Sequence, residues 1–230
     1  MITLKNLCLE HGDFFLHNVS LQVRSGEVYF LLNRQNLGND FIFKVLSGFR
    51  APTQGDIYYD EYRQAIAGRL LPAVFIDKVI HTLAYETEAR IGDWIDFICQ
   101  CGNFSRENVL QTLMVLNFNE SNLRKKVRDM TPEILKQVYL ALTLAPDHPN
   151  IVINDFIKGM EKSLEMKFNK LLWQKKIAGR AILYLGNDII YAAEIADQVG
   201  FIKNGHLLFE ADAADIKDMD IKDLYYKFLN

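Results

Sequence analysis

Apolar and polar residues alternate from Ile2 to Glu10, break at His11-Gly12-Asp13, and alternate again from Phe14 to Val23, which predicts a β-hairpin. After Ser25-Gly26 comes Glu27-Val28-Tyr29-Phe30-Leu31-Leu32, whose unbroken apolarity predicts a strand covered on both faces, as in a parallel sheet. Helical spacing from Phe41 to Leu46 stops at Gly48, Pro52 to Gly55 reads as a turn, and Asp56-Ile57-Tyr58-Tyr59 as a short strand. From about Tyr85 to Ala145 the period is helical. Ile91, Trp94, Ile95 and Ile98 share one face, and Val109, Leu113 and Leu116 make another. Thr131-Pro132-Glu133 is a helix start, with a hydroxyl N-cap, proline at the first helical position and a carboxylate in the first turn; Ile134, Leu135, Val138 and Leu142 then line one side. Strands return at Ile151-Val152-Ile153-Asn154 and from Ala181 to Leu185, with a helix from about Leu164 to Ile177 between them, the pattern of a right-handed parallel crossover. Val199 to Lys203 and His206 to Phe209 flank Asn204-Gly205, a two-residue hairpin turn. No internal repeat or low-complexity linker interrupts this order.

The chain has 230 residues, half of them apolar, enough to bury a core as one domain or as one domain with a subordinate lobe. Its formal charge is −3, and its basic clusters, Arg124 to Lys126 and Lys175 with Lys176, are short and read as solvated helix ends, so no nucleic-acid partner is expected. Three cysteines, Cys8, Cys99 and Cys101, form no paired framework and suit a reducing, cytosolic compartment. Cys99 and Cys101 could be a metal fragment, but a tetrahedral site needs four ligands, and packing is the expected role. The first residues carry no basic-then-apolar signal, and no apolar run approaches the roughly 18 to 20 residues that cross a bilayer, so work at a membrane is expected to go through a partner.

The stretch that carries candidate chemistry is FLLNRQNLGNDF, residues 30 to 41, where a buried strand gives way to a loop and then a helix. In order, the hairpin, buried strand, loop, helical insert and two further buried strands resemble the nucleotide-binding domain of ABC transporters across nearly the full chain. LHNVSLQVRSGEVYFLL looks like the approach to that family's Walker A loop, KVLSGFRAPTQGDIYYD like the helix and turn after it, and ADQVGFIKNGHLLF like the strand and hairpin beyond its switch histidine. LRKKVRDM resembles the lead-in to the signature motif in the drug- and polysaccharide-exporter branch. The resemblance implies an α/β, P-loop NTPase-like core with an N-terminal antiparallel β subdomain and an inserted helical subdomain. It places residues 1–78 and 146–230 in the core and β subdomain and 79–145 in the insert.

The family's phosphate loop reads Gly-x-x-x-x-Gly-Lys-Ser/Thr: glycines let backbone N–H groups face the phosphates, lysine neutralises them and the hydroxyl holds Mg²⁺. Here the same places are Asn33, Arg34, Gln35, Asn36, Leu37, Gly38, Asn39 and Asp40. Asn33 and Asn36 stand at glycine-favouring places and tolerate left-handed backbone better than most residues, so the expectation is a loop of kept shape and reversed charge. A carboxylate about 4 Å from a phosphate oxygen repels it by up to about 4 kcal/mol at an effective dielectric near 20, and the lysine's attraction is lost as well. Direct ligation of Mg²⁺ by Asp40, with Asp155, is the alternative.

The Walker B strand keeps Asp155, which in the family touches magnesium through water, but Phe156 stands where a glutamate polarises the attacking water. Asn187 takes the place of the switch histidine and carries no titratable charge. Asp77 looks like the glutamine-loop residue. The signature loop, Leu-Ser-Gly-Gly-Gln in the family, is Met130-Thr131-Pro132-Glu133-Ile134: proline has no N–H to donate, Glu133 is negative where a γ-phosphate would arrive, and Thr131 alone remains serviceable. His11 stands where the family stacks an aromatic on adenine, or is simply an exposed turn residue.

The expected function is a catalytically degenerate ABC-type subunit, structural or regulatory in a membrane transport complex, cytoplasmic and peripheral on the inner face of the membrane. No cofactor is expected. A permease would dock in a groove lined by Val79, Ile80, Leu83, Tyr85 and Trp94, or these residues are ordinary core of the insert. Pairing with a like domain, as homodimer or heterodimer, is implied by the resemblance. Two alternatives remain: a working ATP-binding subunit, with ATP and Mg²⁺ as cofactors, and a soluble pseudo-ATPase that pairs with an active domain.

Overall fold

The structure is a computed structural model that describes residues 1–12, 14–33, 36–64, 71–77 and 88–218, the side chains of 11, 36, 37, 217 and 218 excepted. Two compact units result, one of residues 1–75, 149–155 and 174–230, the other of 76–148 and 156–173.

In the first unit, β1 (Ile2–His11) and β2 (Phe14–Val23) form the expected antiparallel hairpin. The alternation is not continuous, however. Ile2 and Leu4 face inward, then Leu7 and Leu9, so the inward set changes phase between residues 4 and 7. On β2 the same change falls between Leu16 and Val19. Asn6 (φ 50°) and Asn18 (φ 53°) absorb the extra residue in left-handed backbone, a conformation that asparagine tolerates, and the pairing register shifts there. With β4 (Gln54–Tyr59) and β5 (Tyr62–Arg63) the hairpin makes a four-stranded sheet ordered β2-β1-β4-β5.

The second sheet has six strands: β3 (Val28–Asn33), β6 (Ala73–Asp77), β7 (Asn150–Asn154), β8 (Ala181–Gly186), β9 (Gln198–Lys203) and β10 (His206–Asp212), in the order β10-β9-β3-β8-β7-β6. β3 runs parallel to both β8 and β9, and β7 runs parallel to β8. β3, β7 and β8 are buried at every position, as their unbroken apolar runs predict. Leu4, Leu7, Leu16 and Val19 from one sheet join Leu31, Leu183 and Leu185 from the other in a single core.

α1 (Asn36–Leu46) starts five residues before the helix read from spacing. Its first turns are Asn, Leu, Gly, Asn and Asp, an unpatterned stretch that gives no periodic signal. α6 (Ile189–Ile195) and α7 (Ala213–Asp218) complete the unit. α6 is capped by Asp188, whose carboxylate accepts from the Ile190 and Tyr191 N–H groups.

The second unit holds α2 (Ile91–Gly102), α3 (Arg106–Val115) and α4 (Pro132–Leu144), and its core joins Ile91, Ile95, Val109, Leu113, Leu135 and Val138. α4 begins as read, with Pro132 in its first turn and the Thr131 hydroxyl accepting from Ile134 N–H at 3.4 Å. Cys99 packs in this core, whereas Cys101 is exposed. α5 (Lys162–Ile177) runs from one unit into the other.

Asn204 (φ 49°) and Gly205 (φ 74°) turn β9 into β10 with positive φ at both central residues. A Cβ on Gly205 would lie 2.5 Å from the Phe15 ring and 2.6 Å from its carbonyl oxygen. Gly205→Ala should therefore lower unfolding stability by about 1–3 kcal/mol, measured by urea denaturation.

Candidate functional site

The parallel strands bring three of the sequence-predicted stretches to one edge of the sheet. Leu32 pairs with Gly186 and Asn154 with Leu185, so the chain leaves β3, β7 and β8 at neighbouring points, the carboxyl ends where open parallel sheets place their ligands. From β3 come Asn33 and, two residues later, α1; from β7 come Asn154 and Asp155; from β8 comes Asn187. Arg34 and Gln35, and the side chains of Asn36, Leu37 and His11, lie outside the described residues. The His11 backbone ends β1, paired with Phe14 across the turn.

The described part of the phosphate-loop place is dense and polar. Gly38 sits on α1 where a Cβ would be 2.3 Å from the Phe14 ring and 2.4 Å from the Asn33 amide nitrogen, so any larger residue requires these side chains to shift. Phe14 in turn stacks on Phe41 with ring centroids 6.1 Å apart. Asn33 is buried. Asn39, at the lysine place, is 1% exposed, and among the described residues neither its amide nitrogen nor its oxygen has a hydrogen-bond partner. Asp40, at the magnesium-hydroxyl place, accepts from the Asn154 amide at 2.9 Å, a bond that joins α1 to β7.

Asp155 is 7% exposed and continues the sheet, its N–H donating to the Leu185 carbonyl at 2.8 Å. Its φ is +43°, so the chain turns sharply at this residue. Asn187 is exposed at the end of β8. Chemically, the described part of this edge offers three buried carboxamides, Asn33, Asn39 and Asn154, and two carboxylates, Asp40 and Asp155.

The other predicted positions belong to the second unit. Phe156 is 0% exposed, with its ring 5.8 Å from Tyr139 and 5.6 Å from Phe168, centroid to centroid. Asp77 is half-buried, and its N–H donates to the Tyr139 hydroxyl at 3.2 Å. Burial raises the Tyr139 pKa above its ordinary value, although the bond from Asp77 N–H pulls the other way, so the phenol stays neutral at physiological pH. At the signature place Met130 is buried and Ile134 half-buried. The Thr131 hydroxyl is the α4 cap, which commits its acceptor within the helix. Glu133 has one carboxylate oxygen buried without a hydrogen-bond partner among the described residues. Val79, Ile80, Leu83 and Tyr85 lie outside the described residues, and Trp94 is half-buried against the helical core.

No family model matches the chain. It is similar to the uncharacterized ABC transporter ATP-binding protein YcbN of Bacillus subtilis, 22% identical over 224 residues that cover 90% of this chain and 67% of that protein. It is also similar to the phosphonates import ATP-binding protein PhnC of Fusobacterium nucleatum, 22% identical over 98% of both chains. Of several other curated relatives the chain spans less than half the length. A solved ATP-binding subunit of an ABC transporter superposes with a TM-score of 0.79 over 100% of both chains at 16% identity. The fold is that of an ATP-binding cassette.

Within this cassette fold, three residues at the site escaped the sequence reading. Asp188 had a legible signal, a cap residue before Ile189-Ile190-Tyr191. Asn154 had a fainter one, a lone amide at the end of an apolar strand, which must find a partner once buried. Phe14 had none, since its contact with Gly38 joins positions brought together only by the fold.

Phe156→Ala should cost about 3–5 kcal/mol of stability, because it empties the centre of an aromatic cluster, and Asp40→Ala about 1 kcal/mol for its bond to Asn154. Chemical denaturation followed by circular dichroism measures both.

Proposed function

We propose that this chain is an ATP-binding-cassette subunit that serves a membrane transport complex as a structural or regulatory part rather than as its ATPase. The observation that carries the reading is the phosphate-loop place, where a buried, uncharged Asn39 stands for the lysine and the Asp40 carboxylate is tied to Asn154. Among the described residues, a triphosphate arriving there meets a carboxylate and amides, with no lysine on α1 until Lys44 in its last turn. Phe156 supports the same reading, because a ring buried among Tyr139 and Phe168 can neither accept a proton nor reach water. On this reading the site does not suit Mg²⁺-ATP, and no hydrolytic step is assigned to it.

What remains is a scaffold whose work is contact. A permease docked through the helical unit, and a second cassette paired with this one, would hold the chain at the inner face of the membrane. Among the described residues no helix is long and apolar enough to cross a membrane. The exporter-branch likeness rests on residues 123–130, whereas PhnC is by name an import protein, so no direction of transport is proposed.

One observation favours a working ATP-binding subunit. The Asn39 amide is buried with no partner among the described residues, and a buried unpaired amide costs about 1–3 kcal/mol, which a phosphate oxygen at the start of α1 would offset. In that case Asp40 and Asp155 are the available magnesium ligands. A soluble pseudo-ATPase paired with an active cassette is the remaining form of the first reading, recognised by a heterodimer that forms without a permease.

Calorimetric titration with Mg²⁺-ATP, together with a phosphate-release assay, separates the two readings. The expected result is no micromolar binding and no turnover; micromolar binding with turnover overturns the proposal. The double variant Asn39→Lys, Asp40→Thr should raise nucleotide affinity by at least about tenfold, while Phe156 keeps turnover absent.

A further inference from the structure

α5 is apolar on two opposite sides. Leu164, Phe168, Leu171 and Leu172 are buried and account for one of them. On the other side Met166, Trp173 and Ile177 are 60%, 61% and 63% exposed. At 3.6 residues per turn these three fall within about 40° of one another around the helix axis and extend about 16 Å along it. A tryptophan, a methionine and an isoleucine in one exposed row are more than the scattered apolar residues that any protein surface carries.

The same face is basic. α5 holds Lys162, Lys167, Lys170, Lys175 and Lys176 against one acidic residue, Glu165, in a chain whose net charge is −3. Lys167 and Lys170 flank the apolar row on one side, Lys162 and Lys176 on the other. Lys162 pairs with Glu165 and Lys176 with Asp197, each at 2.5 Å. Lys167 and Lys170 have no acidic partner among the described residues.

We infer that the outer face of α5 docks on an anionic lipid surface. Tryptophan suits the boundary between headgroups and acyl chains, methionine and isoleucine enter it, and lysines reach outward to lipid phosphates and carboxylates while their stems lie along the apolar row. The row lies along one exposed side of a single helix, a geometry that can rest in the plane of a bilayer surface. Charge complementarity selects the lipid: flexible, unpaired lysines beside apolar residues recognise an acidic headgroup layer and not a neutral one. Such docking would hold α5 parallel to the membrane plane, and it stands whether or not the chain hydrolyses ATP.

The test is sedimentation of the full chain with vesicles of phosphatidylcholine alone or with about one third phosphatidylserine, together with tryptophan emission. The chain is expected to pellet with the anionic vesicles only, to be released at about 0.5 M salt, and to show blue-shifted emission as Trp173 leaves water. Trp173→Glu, and separately Lys167→Glu with Lys170→Glu, should each weaken vesicle binding by at least about tenfold with an unchanged circular dichroism spectrum. Equal pelleting on both vesicles, or full binding by Trp173→Glu, overturns the inference. So does the absence of vesicle binding at low salt, which would leave an acidic protein as the occupant of this face.

Discussion

Strands β3, β8 and β7 hydrogen-bond side by side and are buried at every position, so none of them has a solvent face on which polar residues could sit. Their carboxamides therefore stand where the strands begin or stop, whereas the Tyr29 hydroxyl within β3 reaches out to Glu210. Asn33, Asn154 with Asp155, and Asn187 stand at those points because parallel pairing in register brings the three strand ends to one edge. The whole candidate site is a consequence of that edge.

The interactions at the edge are those of a folded protein satisfying itself. Asp40 takes a hydrogen bond from Asn154 and joins the first helix to the sheet, a connection that requires neither metal nor phosphate. Gly38 is locked by Phe14 and Asn33, and Asp155 turns the chain with a positive φ that aspartate tolerates. Against this stands the Asn39 amide, buried with no hydrogen-bond partner among the described residues, a group that a ligand would satisfy. Phe156 follows the same logic in the helical unit, where a ring filling an aromatic cluster contributes packing instead of proton transfer.

α5 shows how one helix can answer two solvents. Its Leu164, Phe168, Leu171 and Leu172 row contributes to the protein interior, while its Met166, Trp173 and Ile177 row faces outward among lysines. With apolar residues on both sides, the helix has no single dominant apolar face. Reading α5 as amphipathic in one direction misses the second surface.

Most of the chain order of strands and helices was legible in the sequence, though not β5, α6 or α7, because it depends on local periodicity: the hairpin at Asn204-Gly205, the Thr131-Pro132 cap and the apolar runs of β3, β7 and β8 are properties of neighbouring residues. The assignment of Asn39, Asp40, Phe156 and Asn187 to the family's motif places rests on the resemblance alone. The phase changes at Asn6 and Asn18 were not legible, since a bulge is defined only by its partner strand. Nor was the true start of α1, where polar residues fold as helix once the sheet buries them. Only tertiary structure decided that Asn154 would hold Asp40, that Phe14 would crowd position 38 and that Trp173 would remain outside. Each is a contact between residues distant in sequence, or the lack of one, and burial is settled by the whole fold rather than by the residue that is buried.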